Sequence, residues 1–237
     1  MTIELKVVDG GVAMLALNRP EVRNALSLEM CNDLLRLTKE ISNQEIRVVF
    51  IRGNGPAFCG GADLNERKGK SEDWIRERRL RAFAAYGALE SLPIPCIALV
   101  HGAVIGSGVE IAAACDFIVA TPSASFRTPE AQRGTVGATQ RLPRILGKRL
   151  AKDLMFTGRA LSAEEARAAG LVARVVEDLH KEATLIGEAI LKAPPLALKL
   201  AKRTIDRGLE LDPAGALQAE IEAIEEQLAA GQWMGKT

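Results

Sequence analysis

The chain begins with two stretches rich in apolar side chains, Ile3–Val8 and Val12–Leu17, and the glycines within residues 9–11 between them predict a β-hairpin. Ser27 is a suitable N-cap for a helix over residues 28–41, in which apolar side chains recur at helical spacing. Further patterns predict strands at 47–52, 95–100 and 117–120, and helices at 71–92 and 109–115. This alternation of strands and helices is typical of an α/β fold.

Beyond residue 176 the pattern becomes helical throughout. Three successive helices are predicted, at 178–191, 195–209 and 212–230. Prolines stand near the starts of the last two. We therefore divide the chain into an α/β body, residues 1–176, and a helical C-terminal region, residues 177–237.

The composition is that of an ordinary globular protein, with 48% hydrophobic and 26% charged residues among 237. Lys and Arg total 31 against 30 Asp and Glu, so the net charge is +1, which argues against nucleic-acid binding or attraction to an anionic membrane. No apolar run is long enough to span a bilayer, and the first residues lack the apolar segment of a signal peptide. We therefore expect a cytoplasmic protein.

Cysteine and histidine usage predicts neither a disulfide framework nor a metal site. The four cysteines are scattered, without C-x-x-C spacing, at Cys31, Cys59, Cys96 and Cys115. We expect them to be buried thiols in a reducing compartment. The two histidines, His101 and His180, have no nearby Cys or His partner in the sequence, so a zinc site is not expected.

Three glycine-containing patterns fail as known motifs. Residues 69–71 resemble the end of a phosphate-binding P-loop, but Leu64 stands where that motif needs glycine. Residues 106–108 begin like a dinucleotide-binding fingerprint, whose last glycine is replaced by Ile111. Ile105 likewise breaks the G-x-S-x-G pattern of serine hydrolases. These three classes are therefore rejected.

Three other segments combine glycines and carboxylates in an informative way. Residues 58–64 follow a predicted strand and contain two consecutive glycines, which allow backbone N–H groups to face a ligand. Residues 101–116 predict a strand, a glycine turn and the start of a helix carrying Glu110 among apolar neighbours. Residues 126–130 end in Pro-Glu, at Glu130. Taken singly, the glycines fit ordinary turns and Glu130 fits a surface acid, whereas Glu110 either caps its helix or is buried for a purpose.

Together with other motifs, these segments resemble the enoyl-CoA hydratase/isomerase (crotonase) superfamily from Ile3 to about residue 228. The matching stretches lie, in order, at 18–20, 24–26, 57–64, 106–116, 126–130, 139–142, 154–158 and 166–172. The resemblance implies a spiral of repeated ββα units with a helical C-terminal trimerisation region. It also implies an acyl-CoA thioester substrate and no cofactor, because coenzyme A enters as part of the substrate.

The resemblance also implies roles for individual residues. Backbone N–H groups of Ala62 and Ser107 are expected to form an oxyanion hole for the thioester enolate. Glu110 is expected to activate water, and Glu130 to donate or remove the α-proton. Both carboxyls are retained, which favours hydration of a 2-enoyl-CoA, or the reverse dehydration. The alternatives are an isomerase, hydrolase or decarboxylase of the same superfamily, or a non-catalytic CoA-binding protein.

Substrate and coenzyme A contacts are expected, by the same resemblance, at Val22, Arg23, Asn24, Gly61, Asp63, Leu64, Gly106 and Lys68. The C-terminal helices resemble elements that form trimers in the family, so we expect a homotrimer or a dimer of trimers. No nucleic acid, membrane or metal is expected as a partner.

Three departures from the family pattern carry further expectations. The loop after Glu130, which includes residues 134–139, is shorter than usual. Arg127 and Arg133 flank Glu130, and an adjacent guanidinium would lower the pKa of this carboxyl. The two arginines would otherwise bind a polar acyl group or face solvent. The last residues, 232–237, fall short of the usual family C-terminus, which implies a more open coenzyme A site.

Overall fold

The first two strands form the predicted antiparallel hairpin, in which Ile3 pairs with Leu17 and Val8 with Val12. The structure is a computed structural model that describes residues 1–8, 10–42 and 44–231. Its strands are β1 (Ile3–Val8), β2 (Val12–Leu17), β3 (Val48–Gly53), β4 (Cys96–Val100), β5 (Ala103–Ile105), β6 (Phe117–Ala120), β7 (Ser125–Arg127), β8 (Leu161–Ser162) and β9 (Arg174–Val175).

The helices follow the predicted pattern and add two that the apolar periodicity did not predict, α4 and α5. They are α1 (Leu28–Ser42), α2 (Glu72–Glu90), α3 (Ser107–Ala113), α4 (Arg141–Thr157), α5 (Ala163–Ala168), α6 (Leu179–Lys192), α7 (Pro195–Gly208) and α8 (Pro213–Ala229). The Ser27 hydroxyl accepts a hydrogen bond from the Met30 N–H at 3.1 Å, so the predicted cap of α1 is confirmed.

Two sheets organise the chain. The larger has the strand order β1-β2-β3-β4-β6-β9 and is parallel from β2 onward; the smaller has the order β5-β7-β8. From β4 the chain enters β5 in the small sheet and then α3, and from β6 it enters β7 and then α4. This repeated passage from large sheet to small sheet to helix is the predicted spiral of ββα units.

Apolar side chains cover both faces of the large sheet. On one face, Leu15 and Ile51 pack with Met30 of α1 and Leu89 of α2, all fully buried. On the other face, β3 and β4 pack against Ala183 and other residues of α6. Helix α6 therefore belongs to the sheet packing, while the proposed boundary after residue 176 stays a prediction.

The predicted burial of the cysteines is confirmed, and all four are free thiols, at Cys31, Cys59, Cys96 and Cys115. Helices α7 and α8 pack on each other, and the Lys202 ammonium of α7 lies 2.9 Å from the Asp116 carboxylate just before β6.

Among the helices that the structure describes, none combines the length and apolar character needed to cross a bilayer. The predicted shortness at residues 232–237 lies outside the described residues.

Candidate active site

The segment after β3 approaches two other parts of the chain. Its Cys59 pairs with Val104 of β5, and its Ala62 pairs with Leu26. The Leu26 N–H donates to the Gly61 carbonyl at 2.7 Å, and the Asp63 N–H donates to the Leu26 carbonyl at 2.9 Å. In an extended segment successive N–H groups point to opposite sides, so the Ala62 N–H faces away from Leu26.

Ser107 lies close to this segment because its turn runs beside it. A β-carbon on Gly61 would lie 3.2 Å from the Ile105 carbonyl oxygen. The two turns are therefore in close contact. Within the residues that the structure describes, neither the Ala62 N–H nor the Ser107 N–H donates to a protein acceptor. Both residues line one cavity, so the two predicted oxyanion-hole donors are brought to the same place.

This cavity has a volume of about 80 Å³ and is enclosed by three parts of the chain. The turns at Ala62 and Ser107 form one side, and the loop at 133–138 forms another. Helix α2 forms the third side. It contributes two arginines, an alanine and two aromatic residues, which are Arg78, Arg79, Ala82, Phe83 and Tyr86. The sequence predicted helix α2, but its periodicity did not reveal which side chains reach the cavity.

Glu110 lines the cavity from α3 and is 8% exposed. Its Oε2 accepts a hydrogen bond from Arg141 Nη1 at 3.1 Å. A second nitrogen of the same guanidinium lies 2.6 Å from the Glu90 carboxylate, and the guanidinium carbon lies 5.9 Å from the centre of the Tyr86 ring. Arg141 belongs to the motif at 139–142, but the sequence offered no reason to pair it with Glu110.

Glu130 faces the cavity from the other side and is held between two glycines. Gly106 has a φ of +49°, and a β-carbon there would overlap the Glu130 carboxylate. A β-carbon on Gly137 would lie 2.9 Å from Glu130 Cγ. A side chain at either position would therefore displace Glu130, and the positive φ of Gly106 also favours glycine.

Burial raises the pKa of Glu130 above its ordinary value, and the nearby Glu110 carboxylate raises it further. A backbone hydrogen bond and the positive charges of Arg133 and Arg79 act in the opposite direction, but desolvation outweighs them. Arg133 lowers this pKa, as expected of a flanking arginine, but the net direction is upward because burial outweighs its charge. The Arg127 guanidinium instead donates to the Gly158 carbonyl. One Glu130 oxygen, Oε2, is buried and has no hydrogen-bond partner.

The other predicted substrate contacts fall into two groups. Gly61, Leu64 and Gly106 line the cavity. The remaining five are not part of its lining, namely Val22, Arg23, Asn24, Asp63 and Lys68. Three of these five are exposed, and the Asp63 carboxylate pairs with Arg19 Nη2 at 3.0 Å.

Asn24 has a structural environment. Its amide nitrogen donates to the carbonyls of Asn54 and Ala57 at 2.8 and 2.9 Å, and its amide oxygen accepts from the Arg19 N–H at 2.8 Å. The side chain is fully buried, so these bonds occupy its polar atoms. The Asn24 N–H also donates, to the Arg19 carbonyl at 2.8 Å, so this residue stabilises the turn that carries Val22 and Arg23.

A model of the enoyl-CoA hydratase/isomerase family matches residues 8–232. The chain belongs to this family. It is 37% identical over 225 residues to the short-chain-enoyl-CoA hydratase of Clostridium acetobutylicum. This alignment covers 92% of this chain and 86% of that protein. It is 38% identical over 223 residues to the mitochondrial enoyl-CoA hydratase domain-containing protein 2 of Homo sapiens, covering 90% of this chain and 76% of the relative.

The fold also matches solved structures of the family. An enoyl-CoA hydratase from Bacillus anthracis superposes with a TM-score of 0.92 at 37% identity, covering 95% of this chain and 90% of that one. The family comparison therefore confirms the predicted architecture. Because a mitochondrial protein is among the relatives, the cytoplasmic location stays a prediction.

In this member of the hydratase/isomerase family, the cavity also contains arginines that the sequence had not assigned to it. Arg67, Arg78 and Arg79 line it beside Arg133. The described part of the chain contains no cluster of three or more His, Cys, Asp or Glu side chains able to hold a metal ion. The ionisable groups of the cavity are thus carboxyls, guanidinium groups and the Tyr86 phenol.

Proposed function

We propose that this protein adds water to a 2-enoyl-CoA to give a 3-hydroxyacyl-CoA, or catalyses the reverse reaction. One observation carries the proposal: two carboxyl groups, Glu110 and Glu130, and two unpaired backbone N–H donors, at Ala62 and Ser107, belong to the same small cavity. Hydration needs a group that takes a proton from water and a group that delivers a proton to the α-carbon, while the thioester oxygen carries negative charge.

The proposed mechanism begins with the thioester carbonyl oxygen between the two N–H donors, which stabilise the enolate by about 3–4 kcal/mol each. Glu110, which accepts a hydrogen bond from Arg141, removes a proton from water as the oxygen bonds to C3. The electron pair of the double bond moves to form the enolate. Glu130 in its protonated form then donates its proton to C2, and burial of Glu130 favours that form.

In this proposal the nucleotide of coenzyme A lies against the backbone of Val22, Arg23 and Asn24, and its phosphates contact the side chains of Arg23 and Lys68. Two observations support this position. The Gly60 N–H donates to the Arg23 carbonyl at 2.7 Å, so this backbone borders the loop that carries Ala62. The Arg23 and Lys68 side chains are exposed. We further propose a homotrimer or a dimer of trimers.

The test is conversion of crotonyl-CoA by the wild-type protein and by Glu110→Gln and Glu130→Gln. Hydration removes the enoyl absorbance and adds the mass of one water. We expect each variant to lose about 10²-fold or more in kcat, because each removes one proton-transfer group. Glu188→Gln, an exposed glutamate on α6, is the matched control and should keep full activity.

Other results would select an alternative. Double-bond migration in a 3-enoyl-CoA without gain of water would establish an isomerase instead. Release of free coenzyme A would indicate a hydrolase, and loss of carbon dioxide a decarboxylase. Saturable binding of coenzyme A with no turnover of any enoyl-CoA would leave a non-catalytic binding protein.

A further inference from the structure

The cavity wall carries more positive charge than its own carboxylates neutralise. Arg78 is paired with Glu66, with Nε 2.6 Å from Oε1. In contrast, Arg67, Arg79 and Arg133 have no carboxylate at ion-pair distance among the residues that the structure describes. Three guanidinium groups without a carboxylate partner among the described residues therefore line one small cavity.

Arg67 is the most informative of the three. Its Nε is buried and has no hydrogen-bond partner. Burial lowers the pKa of Arg67, and the positive charges of Arg78 and Arg79 lower it further. A buried N–H donor without an acceptor is destabilising, and in a native protein it calls for an explanation such as a ligand. The side chain thus stands ready to donate to an acceptor in the cavity.

The other two arginines increase the positive electrostatic potential on the same side of the cavity. The Arg79 guanidinium donates to Thr135 Oγ1 and, at 2.9 Å, to the Val136 carbonyl, so its charge is fixed beside the loop that follows Glu130. Arg133 lies on that loop, three positions after Glu130, and is exposed at the cavity rim. Both side chains line the same cavity as Glu130, and their positive charges act to lower the pKa of its carboxyl group.

A purely aliphatic acyl group would pack on the apolar side chains that also line the cavity, such as Phe83 and Val136, but it would leave the Arg67 Nε without an acceptor. A carboxylate matches the guanidinium group in charge and in geometry. These arginines share the cavity with Glu110 and Glu130, which in the proposed function act on the acyl carbons. The anion they would bind is therefore on the acyl group, and the nucleotide phosphates lie elsewhere.

We propose that the substrate is a short 2-enoyl-CoA whose acyl chain ends in a carboxylate, bound by Arg67 with Arg133 at the rim. The proposal rests on the proposed function and names its substrate class. Arg67 and Arg133 are thus assigned to substrate specificity, and Arg79 to holding the loop and adding to the field.

The test compares two substrates that differ only at the far end of the chain. Glutaconyl-CoA ends in a carboxylate, and trans-2-pentenoyl-CoA has the same number of carbons and ends in a methyl group. We expect the wild type to prefer glutaconyl-CoA by at least about 10-fold in kcat/KM. Arg67→Gln should reduce kcat/KM for glutaconyl-CoA by about 10-fold or more and change that for pentenoyl-CoA by less than about 3-fold.

Binding of the saturated analogues separates this proposal from the hydratase proposal. Glutaryl-CoA and pentanoyl-CoA carry the same coenzyme A, and calorimetry measures their affinities without turnover. If neither enoyl-CoA is converted but glutaryl-CoA binds more tightly, and Arg67→Gln removes the difference, then hydration fails and the anion site stands. Equal affinities in the wild type, or an equal loss for both ligands in Arg67→Gln, would overturn the anion site.

Two further variants complete the design. Arg133→Gln changes an exposed side chain, so it tests the same preference even if Arg67→Gln does not fold. We expect it to reduce the glutaryl-CoA preference, and an unchanged preference in every folded variant would contradict the proposal. Arg167→Gln replaces an exposed arginine on α5 that pairs with Glu164, and it should leave both affinities unchanged.

Discussion

Glu130 is a half-buried carboxyl group, and one of its oxygens, Oε2, is buried without a hydrogen-bond partner. Such an arrangement is destabilising by itself, because the ionised form loses hydration that no donor replaces. A protein retains a group of this kind where its proton is useful, and a carboxylic acid that stays protonated near neutral pH can act as a proton donor. The neighbouring Glu110 has a different environment, since it shares the Arg141 guanidinium with Glu90.

The raised pKa of Glu130 predicts a pH-dependent effect of Glu130→Gln on stability. The folded protein holds this proton to higher pH than the unfolded chain, so the contribution of Glu130 is fully favourable below its ordinary value of 4.5. That contribution is lost as the pH rises through the higher folded pKa. Glutamine cannot ionise, so we expect the variant to be more stable than the wild type near neutral pH. The difference should fade as the pH falls to about 4.

Urea unfolding of both proteins across this pH range measures the difference in free energy of unfolding. Glu188→Gln is the control, because its carboxyl group is exposed on α6. Its unfolding free energy should follow that of the wild type at every pH. A Glu130→Gln protein that is less stable than the wild type at neutral pH, and becomes relatively more stable in acid, would contradict the assigned direction.

At the scale of elements, one buried ion pair joins three parts of the cavity wall. Arg78 of α2 is 2% exposed and donates to Glu66 and to the Leu26 carbonyl. The second oxygen of Glu66 accepts the Leu28 N–H, at the start of α1, at 2.9 Å. A single carboxylate therefore links α1, α2 and the turn that follows Ala62.

Glu66→Ala should destabilise the protein by about 3–5 kcal/mol, because it leaves the Arg78 guanidinium buried without a counter-charge. The urea midpoint should fall while the dependence of the free energy on urea stays unchanged. The control is Glu226→Ala, which removes one partner of the exposed pair with Arg203 and should cost less than about 1 kcal/mol. Equal losses in the two variants would show that the buried pair does not hold these elements together.

Sequence patterns predicted the long uninterrupted helices and missed the shortest elements and a helix with an internal kink. Helices α1, α2, α6, α7 and α8 were predicted to within two residues at each end, because each is long enough for its pattern to repeat. Strands β8 and β9 have two residues each, too few for any periodicity. Helix α4 is kinked at Gly147, which has a φ of +72°, and a glycine inside a helical segment weakens the prediction of a helix.

The same reasoning applies to the candidate site. Glu110, Glu130, Ala62 and Ser107 were found through a resemblance in local motifs, and all four line one cavity. The pairing of Arg141 with Glu110 joins positions 31 apart in the chain, and no local spacing carries that information. The direction of the Glu130 pKa also depends on burial by distant segments, which outweighs the adjacent charges visible in the sequence.

At the scale of the whole molecule, a net charge of +1 conceals an uneven distribution of charge. This overall balance describes the average over the chain and gives no information on a cavity a few side chains wide. Four arginines line that cavity with two glutamates, and one of the arginines is neutralised by Glu66. Attraction of an anionic ligand into this space is therefore a local property.

Helices α7 and α8 also give the molecule an uneven surface. Together they form a groove of about 760 Å³ with several exposed apolar side chains along it, including Ile205, Leu209, Leu217 and Ile224. Contiguous exposed apolar surface of this kind is typical of an interface. This supports the proposed homo-oligomer, in which copies of the chain cover one another's apolar groove.

Light scattering at micromolar concentration should therefore give three or six times the chain mass of 25.4 kDa. The variant Leu217→Glu places a charge on α8 in the groove, and desolvating that charge in an interface is unfavourable. We expect the assembly of this variant to have a lower mass than that of the wild type, while the helical circular dichroism of the two proteins stays the same. Leu185→Glu changes an equally exposed leucine on α6, outside the groove, and should leave the mass unchanged. A monomeric wild type, or equal dissociation in the Leu185 variant, would contradict assembly through α7 and α8, since only a contact at this groove distinguishes the two leucines.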